Sequence, residues 1–169
     1  MHGLQIMARD HARIPFQWDD SPNAGFTDAQ TRAWMRVHEN YRDINAATQT
    51  KDPNSILSFY RHALQLRKEY QDLFVFGSFK LLDPTDEHTF TYIKESTVPI
   101  NAQEPTKRKA LVVLNMSQET RLGPDVYTAL GSSESQVRLL ACTTTKGTAE
   151  MKSGRPALMG WESRVYVNF

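Results

Sequence analysis

The clearest periodicity in the chain is helical and lies between Asp52 and Tyr70. Apolar side chains recur there every three or four positions, at Ile56, Phe59, Tyr60, Ala63, Leu66 and Tyr70. Asp52 suits the N-cap, and Pro53 suits the first helical position because its fixed φ is already helical. We therefore predict an amphipathic helix over Asp52–Tyr70 whose apolar face requires a packing partner.

After Tyr70 the hydrophobic period changes from helical to two. Segments rich in β-branched and aromatic residues, separated by turn formers, predict strands at 74–79, 90–94, 111–114, 137–141 and 165–169. No helical crossover separates these strands, so they must pair antiparallel, and we expect a β-sandwich. The two prolines of Ser96–Arg108 predict a long surface hairpin loop there.

The leading segment, Met1–Lys51, is polar and rich in turn formers, which cluster at 19–25. Disordered segments are poor in aromatic residues, yet this one contains Phe16, Trp18, Phe26, Trp34 and Tyr41. We therefore predict an ordered loop. One helix and one aromatic loop do not form a complete domain, so we expect the chain to be the C-terminal piece of a larger protein.

The composition excludes several classes of protein. The chain has 169 residues with 20 Lys and Arg against 19 Asp and Glu, a formal charge of +1. That balance supplies no field to hold nucleic acid or an anionic membrane, and we expect neither partner. The longest apolar run, Ala110–Leu114, is far shorter than the roughly 20 residues of a membrane-spanning helix. Cys142 is the single cysteine and no secretory signal is visible, so we expect a cytoplasmic protein.

Candidate chemistry is concentrated in the leading loop. Arg9 and Arg13 are four residues apart with Asp10 between them, and a guanidinium can bind a carboxylate and a ligand hydroxyl in one fixed fork. The aromatic faces of Phe16 and Trp18 suit the apolar side of a pyranose ring. Arg–Asp pairs and tryptophans also fasten loops structurally, so the residues alone leave a sugar-binding and a structural interpretation open.

Residues 9–18 read RDHARIPFQW and resemble the signature RDNARTPMQW of α-glucosidases and oligo-1,6-glucosidases in the α-amylase family, glycoside hydrolase family 13. Further matches follow in order at 23–27, 34–37, 40–41, 44–45, 67–68 and 75–79, with weaker similarity at 90–92 and 111–115. Three residues depart from the signature. His11 replaces Asn, Ile14 replaces Thr and Phe16 replaces Met, and the first two change polar groups near the expected site.

The resemblance implies a catalytic (β/α)₈ barrel followed by an antiparallel β-sandwich. Residues 1–72 would be the C-terminal end of the barrel, made of a long loop and the last helix, and residues 73–169 would be the sandwich domain. The fold class is therefore an α+β fragment. Active sites of such barrels lie at their C-terminal face, among the loops that follow the strands, where this loop would lie.

The resemblance also implies retaining hydrolysis of α-glucosidic bonds in maltose- and isomaltose-type oligosaccharides, which needs two carboxyl groups about 5–5.5 Å apart. In this family they come from barrel strands upstream, so we assign no catalytic residue here and expect the isolated chain to be inactive. Arg9 would contact substrate, while Asp10 and Arg13 would support the loop. The implied partners are α-linked glucose oligosaccharides and the missing N-terminal barrel portion of the same protein.

Two other interpretations remain open. The chain also resembles non-catalytic relatives such as amino-acid transporter heavy chains, and its predicted sandwich alone could be a carbohydrate-binding module. The preference between α-1,4 and α-1,6 bonds is left open as well. No cofactor is implied, and the histidines are too scattered for a metal site, at positions His2, His11, His38, His62 and His88. Asn115-Met116-Ser117 formally fits a glycosylation acceptor, but its place at a strand end favours chance.

Overall fold

The computed structural model describes residues 13–99, 107–144 and 151–169. The chain forms two compact units, the first ending at His62 and the second beginning at Ala63. The predicted site residues Arg9 and Asp10 lie outside the described residues. No helix in the described ranges has the length and apolar character to cross a bilayer.

The first unit is largely irregular, as predicted for the leading loop. Short 3₁₀ turns occur at Pro22–Gly25 and Glu39–Arg42, and helix α1 follows at Ala46–Lys51. Asn45 begins α1, because its side-chain Oδ1 accepts the Thr48 N–H at 2.8 Å while its amide donates to the Tyr41 carbonyl at 2.9 Å. Helix α1 was not predicted, because its six residues are mostly polar or small and show no apolar periodicity.

Helix α2 spans Ile56–Glu69 and begins three residues later than predicted. The predicted N-cap, Asp52, instead accepts the Asn54 N–H at 2.8 Å and closes a turn. Ser55 takes the capping role, since its hydroxyl accepts the Ser58 N–H at 3.1 Å. The expectation that Pro53 occupies the first helical position is therefore wrong.

A one-turn helix, α3, spans Gln71–Phe74 and replaces the start of the strand predicted at 74–79. The Tyr70 carbonyl accepts the Leu73 and Phe74 N–H groups at 3.1 and 2.8 Å, which continues helical geometry. Leu73 is fully buried, so packing favours this turn over an extended chain. The strand begins only at Ser78.

The described residues of the second unit form eight strands, namely β1 Ser78–Leu81, β2 Thr89–Pro99, β3 Lys107–Asn115, β4 Arg121–Leu122, β5 Val137–Cys142, β6 Met151–Lys152, β7 Arg155–Leu158 and β8 Ser163–Asn168. Five form a sheet in the order β1-β2-β3-β8-β5, and three form a second sheet in the order β4-β7-β6. Every pair is antiparallel, which confirms the predicted pairing.

The hairpin loop predicted at Ser96–Arg108 is too long. Strand β2 continues to Pro99 and strand β3 already begins at Lys107. Ser96 is buried and its hydroxyl donates to Asp72 Oδ2 at 2.8 Å, which ties this part of β2 to α3. The polar, proline-rich composition of this segment lacks the alternating pattern of a strand, although Ser96 has a hydrogen-bond partner in the fold.

The core of the second unit lies on both faces of the five-stranded sheet. One face packs against helix α4, Val126–Leu130, through a cluster of buried residues, namely Leu111, Val113, Val126, Leu130, Leu158 and Tyr166. The Oδ1 of Asp125 accepts the Thr128 N–H at 2.7 Å and begins that helix. On the opposite face, Leu73 of α3 packs with Ala110 and Val167.

A buried ion pair joins Glu162 and Arg164 at the start of β8, with Oε1 and Nε 2.7 Å apart. Glu162 also accepts the Met159 N–H at 2.7 Å and the Cys142 thiol at 3.2 Å. Burial acts to raise the pKa of Glu162, but the hydrogen bonds from Arg164, Met159 and Cys142 outweigh it and hold that pKa below its ordinary value. Cys142 is half-buried at the end of β5.

Asn115 of the formal glycosylation motif is buried. Its side-chain amide donates to the Glu119 carbonyl at 2.7 Å and to the Met159 carbonyl at 2.9 Å. The folded domain therefore uses this amide to hold its own loops, in agreement with the interpretation of the motif as chance.

Candidate functional site

The predicted site lies in the leading loop, where Phe16 and Trp18 form an aromatic pair. Their ring centroids are 4.7 Å apart and their planes are inclined by 59°. Phe16 remains 57% exposed and Trp18 55% exposed, so more than half of each side chain is open to a ligand or to another protein surface. The pair offers an exposed apolar surface and has no reactive group of its own.

The backbone beneath the aromatic pair is fixed to the start of α1. The Gln17 carbonyl accepts the Ala46 N–H at 3.0 Å, and the Trp18 carbonyl accepts the Ala47 N–H at 2.9 Å. These two N–H groups belong to the first turn of the helix, which has no partners within the helix itself. The Gln17 side-chain amide adds a hydrogen bond to the Ile44 carbonyl. The loop and the helix therefore hold each other in place.

The turn at 19–25 is strained and tightly closed. Three consecutive residues have left-handed backbones, with φ of 56° at Asn23, 56° at Ala24 and 65° at Gly25. The Ala24 carbonyl accepts the Trp18 N–H at 2.9 Å, which returns the chain to the aromatic pair. A Cβ on Gly25 would lie 2.7 Å from an oxygen of the Asp19 carboxylate, so any other residue here would have to displace Asp19 as well as adopt a left-handed backbone.

The acidic side chains of this loop are used to hold the loop together. Asp19 accepts the Ser21 N–H at 2.9 Å, and hydrogen bonds from the Ser21 hydroxyl and N–H lower the pKa of Asp19. Asp28 accepts the Thr31 hydroxyl and N–H, each at 2.8 Å, and the hydroxyl contributes most to lowering the pKa of Asp28. Both carboxylates are stabilised in the ionised form, which suits a structural role and disfavours a general acid.

A groove of about 860 Å³ opens beside the aromatic pair within the first unit. Its apolar lining includes Ile14, Phe16, Trp18, Ile44, Ile56 and Tyr60. Ile56 is 72% exposed and Tyr60 63% exposed. These apolar side chains of α2 therefore line the groove and stay largely accessible to solvent. The helical periodicity predicted the open apolar face of α2. Ile44 lies in irregular chain, where no periodicity marked it as a groove residue, although 44–45 is among the matches to the family.

The structure describes one of the three predicted site residues. Arg13 is exposed at the beginning of the described residues. The roles of Arg9, Asp10 and Arg13 therefore stay predictions. Within the described ranges, no three His, Cys, Asp or Glu side chains lie close enough to hold a metal ion.

The class of protein follows from a family comparison. Residues 2–76 match the family model described as the α-amylase catalytic domain, a match that contains the aromatic loop, the groove and helix α2. The first part of the chain is therefore similar to part of an α-amylase catalytic domain.

Relatives extend the likeness over nearly the whole chain. The α-glucosidase of Candida albicans is 38% identical over 165 residues, covering 97% of this chain and 25% of that protein. A probable oligo-1,6-glucosidase of Bacillus subtilis is 40% identical over 119 residues, covering 70% and 19%. Among solved structures, a trehalose-6-phosphate hydrolase of Bacillus licheniformis superposes with a TM-score of 0.77 at 26% identity, covering 97% of this chain and 27% of that one.

The chain belongs to the α-amylase family, within which its relatives are α-glucosidases and oligo-1,6-glucosidases. It spans about a quarter of the length of such a relative.

Proposed function

We propose that this chain is the C-terminal part of a retaining α-glucosidase that hydrolyses α-glucosidic bonds of maltose- and isomaltose-type oligosaccharides. The observation that carries the proposal is the alignment of 97% of this chain, at 38% identity, with a protein named α-glucosidase. The catalytic carboxylates then belong to the portion of the enzyme that precedes Met1. The chain contributes the loop and the domain that complete the enzyme.

We further propose that residues 1–72 form the C-terminal end of a (β/α)₈ barrel and that residues 73–169 form a β-sandwich domain. The catalytic-domain match, which ends at residue 76, supports this division. The exposed apolar side chains of α2 support it as well, because Ile56 and Tyr60 would be buried by neighbouring barrel helices. The two antiparallel sheets of the second unit supply the layers of a sandwich.

The signature loop is the part of the chain assigned to the active site. We assign to Arg9 a contact with substrate hydroxyls, and to Asp10 and Arg13 the support of the loop. The strained turn closed by Gly25 and the hydrogen bonds to Ala46 and Ala47 support these roles, since a loop that positions a ligand must be rigid. The partners are α-linked glucose oligosaccharides and the N-terminal barrel portion, in a cytoplasmic enzyme that uses no cofactor.

A chimera tests the proposal. Residues 1–169 are joined to the N-terminal three quarters of the C. albicans α-glucosidase in place of its own C-terminal part, and hydrolysis of maltose, isomaltose and p-nitrophenyl α-glucoside is measured. We expect hydrolysis with net retention of configuration. The N-terminal portion alone is the control and should be inactive. A chimera that melts cooperatively as a single species and hydrolyses none of the three substrates would contradict the proposal.

Titration of the chain with maltose and isomaltose separates the enzyme from a carbohydrate-binding module. Saturable millimolar binding that survives removal of the residues before Lys51 would favour the module, because the remaining strands would then suffice for recognition. We expect no such binding by the shortened chain.

A further inference from the structure

Three aromatic rings form a continuous row on the sheet of the second unit. The row consists of Phe79 on β1 with Tyr92 and Phe90 on β2, and the ring centroids are 5.0 Å apart for Phe79–Tyr92 and 5.6 Å apart for Phe90–Tyr92. Phe79 is 56% exposed and Phe90 44% exposed. We call this feature the aromatic row.

The strand register places all three rings on one face of the sheet. Tyr92 lies opposite Leu81, two residues beyond Phe79 on β1, and Phe90 lies two residues before Tyr92 on β2. Ile93, the residue after Tyr92, lies on the other face and packs against the core beneath α4. The aromatic row therefore lies on the face of the sheet opposite α4, in a region where Phe79 and Phe90 stay exposed.

Further along the same face the sheet is covered. Tyr92 pairs with Val112 of β3, and Ala110, two residues away, packs beneath Leu73 of α3 together with Val167. The apolar surface thus continues from a packed region into an open one, ending at β1, the edge strand of the sheet. An open apolar edge of this kind favours coverage by another protein segment.

The geometry of the rings favours a polypeptide over a sugar. The planes are inclined by 34° for Phe79–Tyr92 and by 55° for Phe90–Tyr92, and the rings contact each other side by side. Inclined, mutually packed rings are the arrangement of protein cores and interfaces. A flat platform for successive sugar rings would require parallel faces, which this row does not present.

We propose that the aromatic row is the docking surface for the portion of the catalytic domain that precedes this chain, an inference that rests on the proposed function. The catalytic-domain match ends at residue 76, two residues before β1 begins, so the row is tethered directly to that domain. The chain covers 25% of its C. albicans relative, which leaves three quarters of such a protein to supply the covering surface. A short tether gives the two surfaces a high effective concentration.

Thermal unfolding of the double variant Phe79→Thr/Phe90→Thr tests the inference, since threonine keeps the strand preference while removing both rings. The variant is made in the 169-residue chain and in the chimera with the C. albicans portion. We expect little change of Tm in the chain, a weaker bis-ANS signal, and a fall of about 4 °C or more in the chimera. Lys80→Thr, an exposed change on the neighbouring residue of β1, is the matched control and should shift neither Tm.

Equal shifts of Tm in the chain and in the chimera would overturn the inference, because Phe79 and Phe90 would then stabilise the protein equally with and without the added C. albicans portion. Saturable binding of maltohexaose to the chain that the double variant abolishes would also overturn it in favour of a sugar site. The two proposals fail separately. A chimera without hydrolysis contradicts the α-glucosidase assignment. An active chimera whose Tm is the same with and without the double substitution contradicts only the docking surface.

Discussion

Glu162 and Arg164 face each other across one residue of the chain, with Oε1 and Nε 2.7 Å apart and both side chains almost completely buried. The Arg164 Nη2 also donates to the Ala157 carbonyl at 3.0 Å, and the carboxylate has two further donors in Met159 and Cys142. A buried pair with this many hydrogen bonds repays the cost of removing its charges from water. It joins β8, β7 and the end of β5.

Removing one partner of this pair should strongly destabilise the second unit. Glu162→Gln leaves the Arg164 charge buried without a counter-ion, and we expect a loss of about 3–5 kcal/mol in the free energy of unfolding. Urea denaturation of the chain measures it. Glu119→Gln is the control, because Glu119 pairs with Arg121 at 2.8 Å on the surface and should cost less than about 1 kcal/mol. Equal losses for the two variants would contradict this prediction.

The same pair predicts a dependence of stability on pH. The pKa of Glu162 is lower in the folded chain than its ordinary value of about 4.3, so the pair stabilises the fold above that value. The stabilisation is lost as the pH falls from there through the folded pKa. Unfolding free energies measured between neutral and acidic pH should therefore fall more steeply for the native chain than for Glu162→Gln. Parallel curves would show that Glu162 does not titrate in this way.

Asn45 should determine whether helix α1 forms. Asn45→Ala removes the cap and leaves the Tyr41 carbonyl without its donor, and we expect a loss of about 1 kcal/mol or somewhat more. Amide exchange at Ala46 and Ala47, whose N–H groups bond to the aromatic loop, should become faster. Asn54→Ala, an exposed change in the turn before α2, serves as the comparison and should leave both amides protected.

Gly25 and Gly131 offer a matched test of the strained turn. Both have left-handed φ, 65° and 64°, but only at Gly25 would a Cβ collide with another group, the Asp19 carboxylate. Gly131→Ala should cost about 1 kcal/mol from the backbone alone. Gly25→Ala should cost about 1–3 kcal/mol more than that, because the collision is added. Chemical denaturation of both variants, followed by tryptophan fluorescence, measures the difference, and equal costs would show that Asp19 moves aside freely.

Arg9 is tested in the chimera, where a substrate is turned over. We expect Arg9→Ala to lower kcat/KM for maltose by about 10- to 100-fold, because a hydrogen bond from a charged group to a sugar hydroxyl contributes about 1.5–3 kcal/mol. Arg32→Ala, an exposed arginine of the same leading loop, should leave kcat/KM unchanged. An unchanged value for Arg9→Ala would remove Arg9 from the site.

Much of this fold was visible in the sequence because the determining interactions are local. The apolar spacing from Ile56 to Leu66 reports one face of a helix, the continuous apolar run at 111–114 reports a strand buried on both faces, and α2 and β3 overlap the predicted ranges. The element ends depend instead on which polar side chain captures which N–H group. Asp52 and Ser55 both qualify as caps by residue type, and only the surrounding contacts of Ser55 decide between them.

Two further differences from the predictions have a similar cause. Strands β4 and β6 have two residues each and exist only because β7 pairs with them, a long-range relationship without a periodic signal. The groove likewise combines loop residues such as Ile44 with helix residues such as Tyr60, which are distant in sequence. The signature loop was found because its aromatic residues stand close together in the chain, at Phe16 and Trp18.

Strand β8 comes after every other strand in the chain, yet it lies between β3 and β5 in the sheet. During synthesis, the backbone N–H and C=O groups of β3 and β5 that face β8 therefore stay unpaired until Ser163–Asn168 has left the ribosome. Closure of this sheet is consequently a late event of biogenesis. A premature stop codon only a few positions before Ser163 would release a polypeptide with two unsealed edges, a product prone to aggregation and a natural client for chaperones.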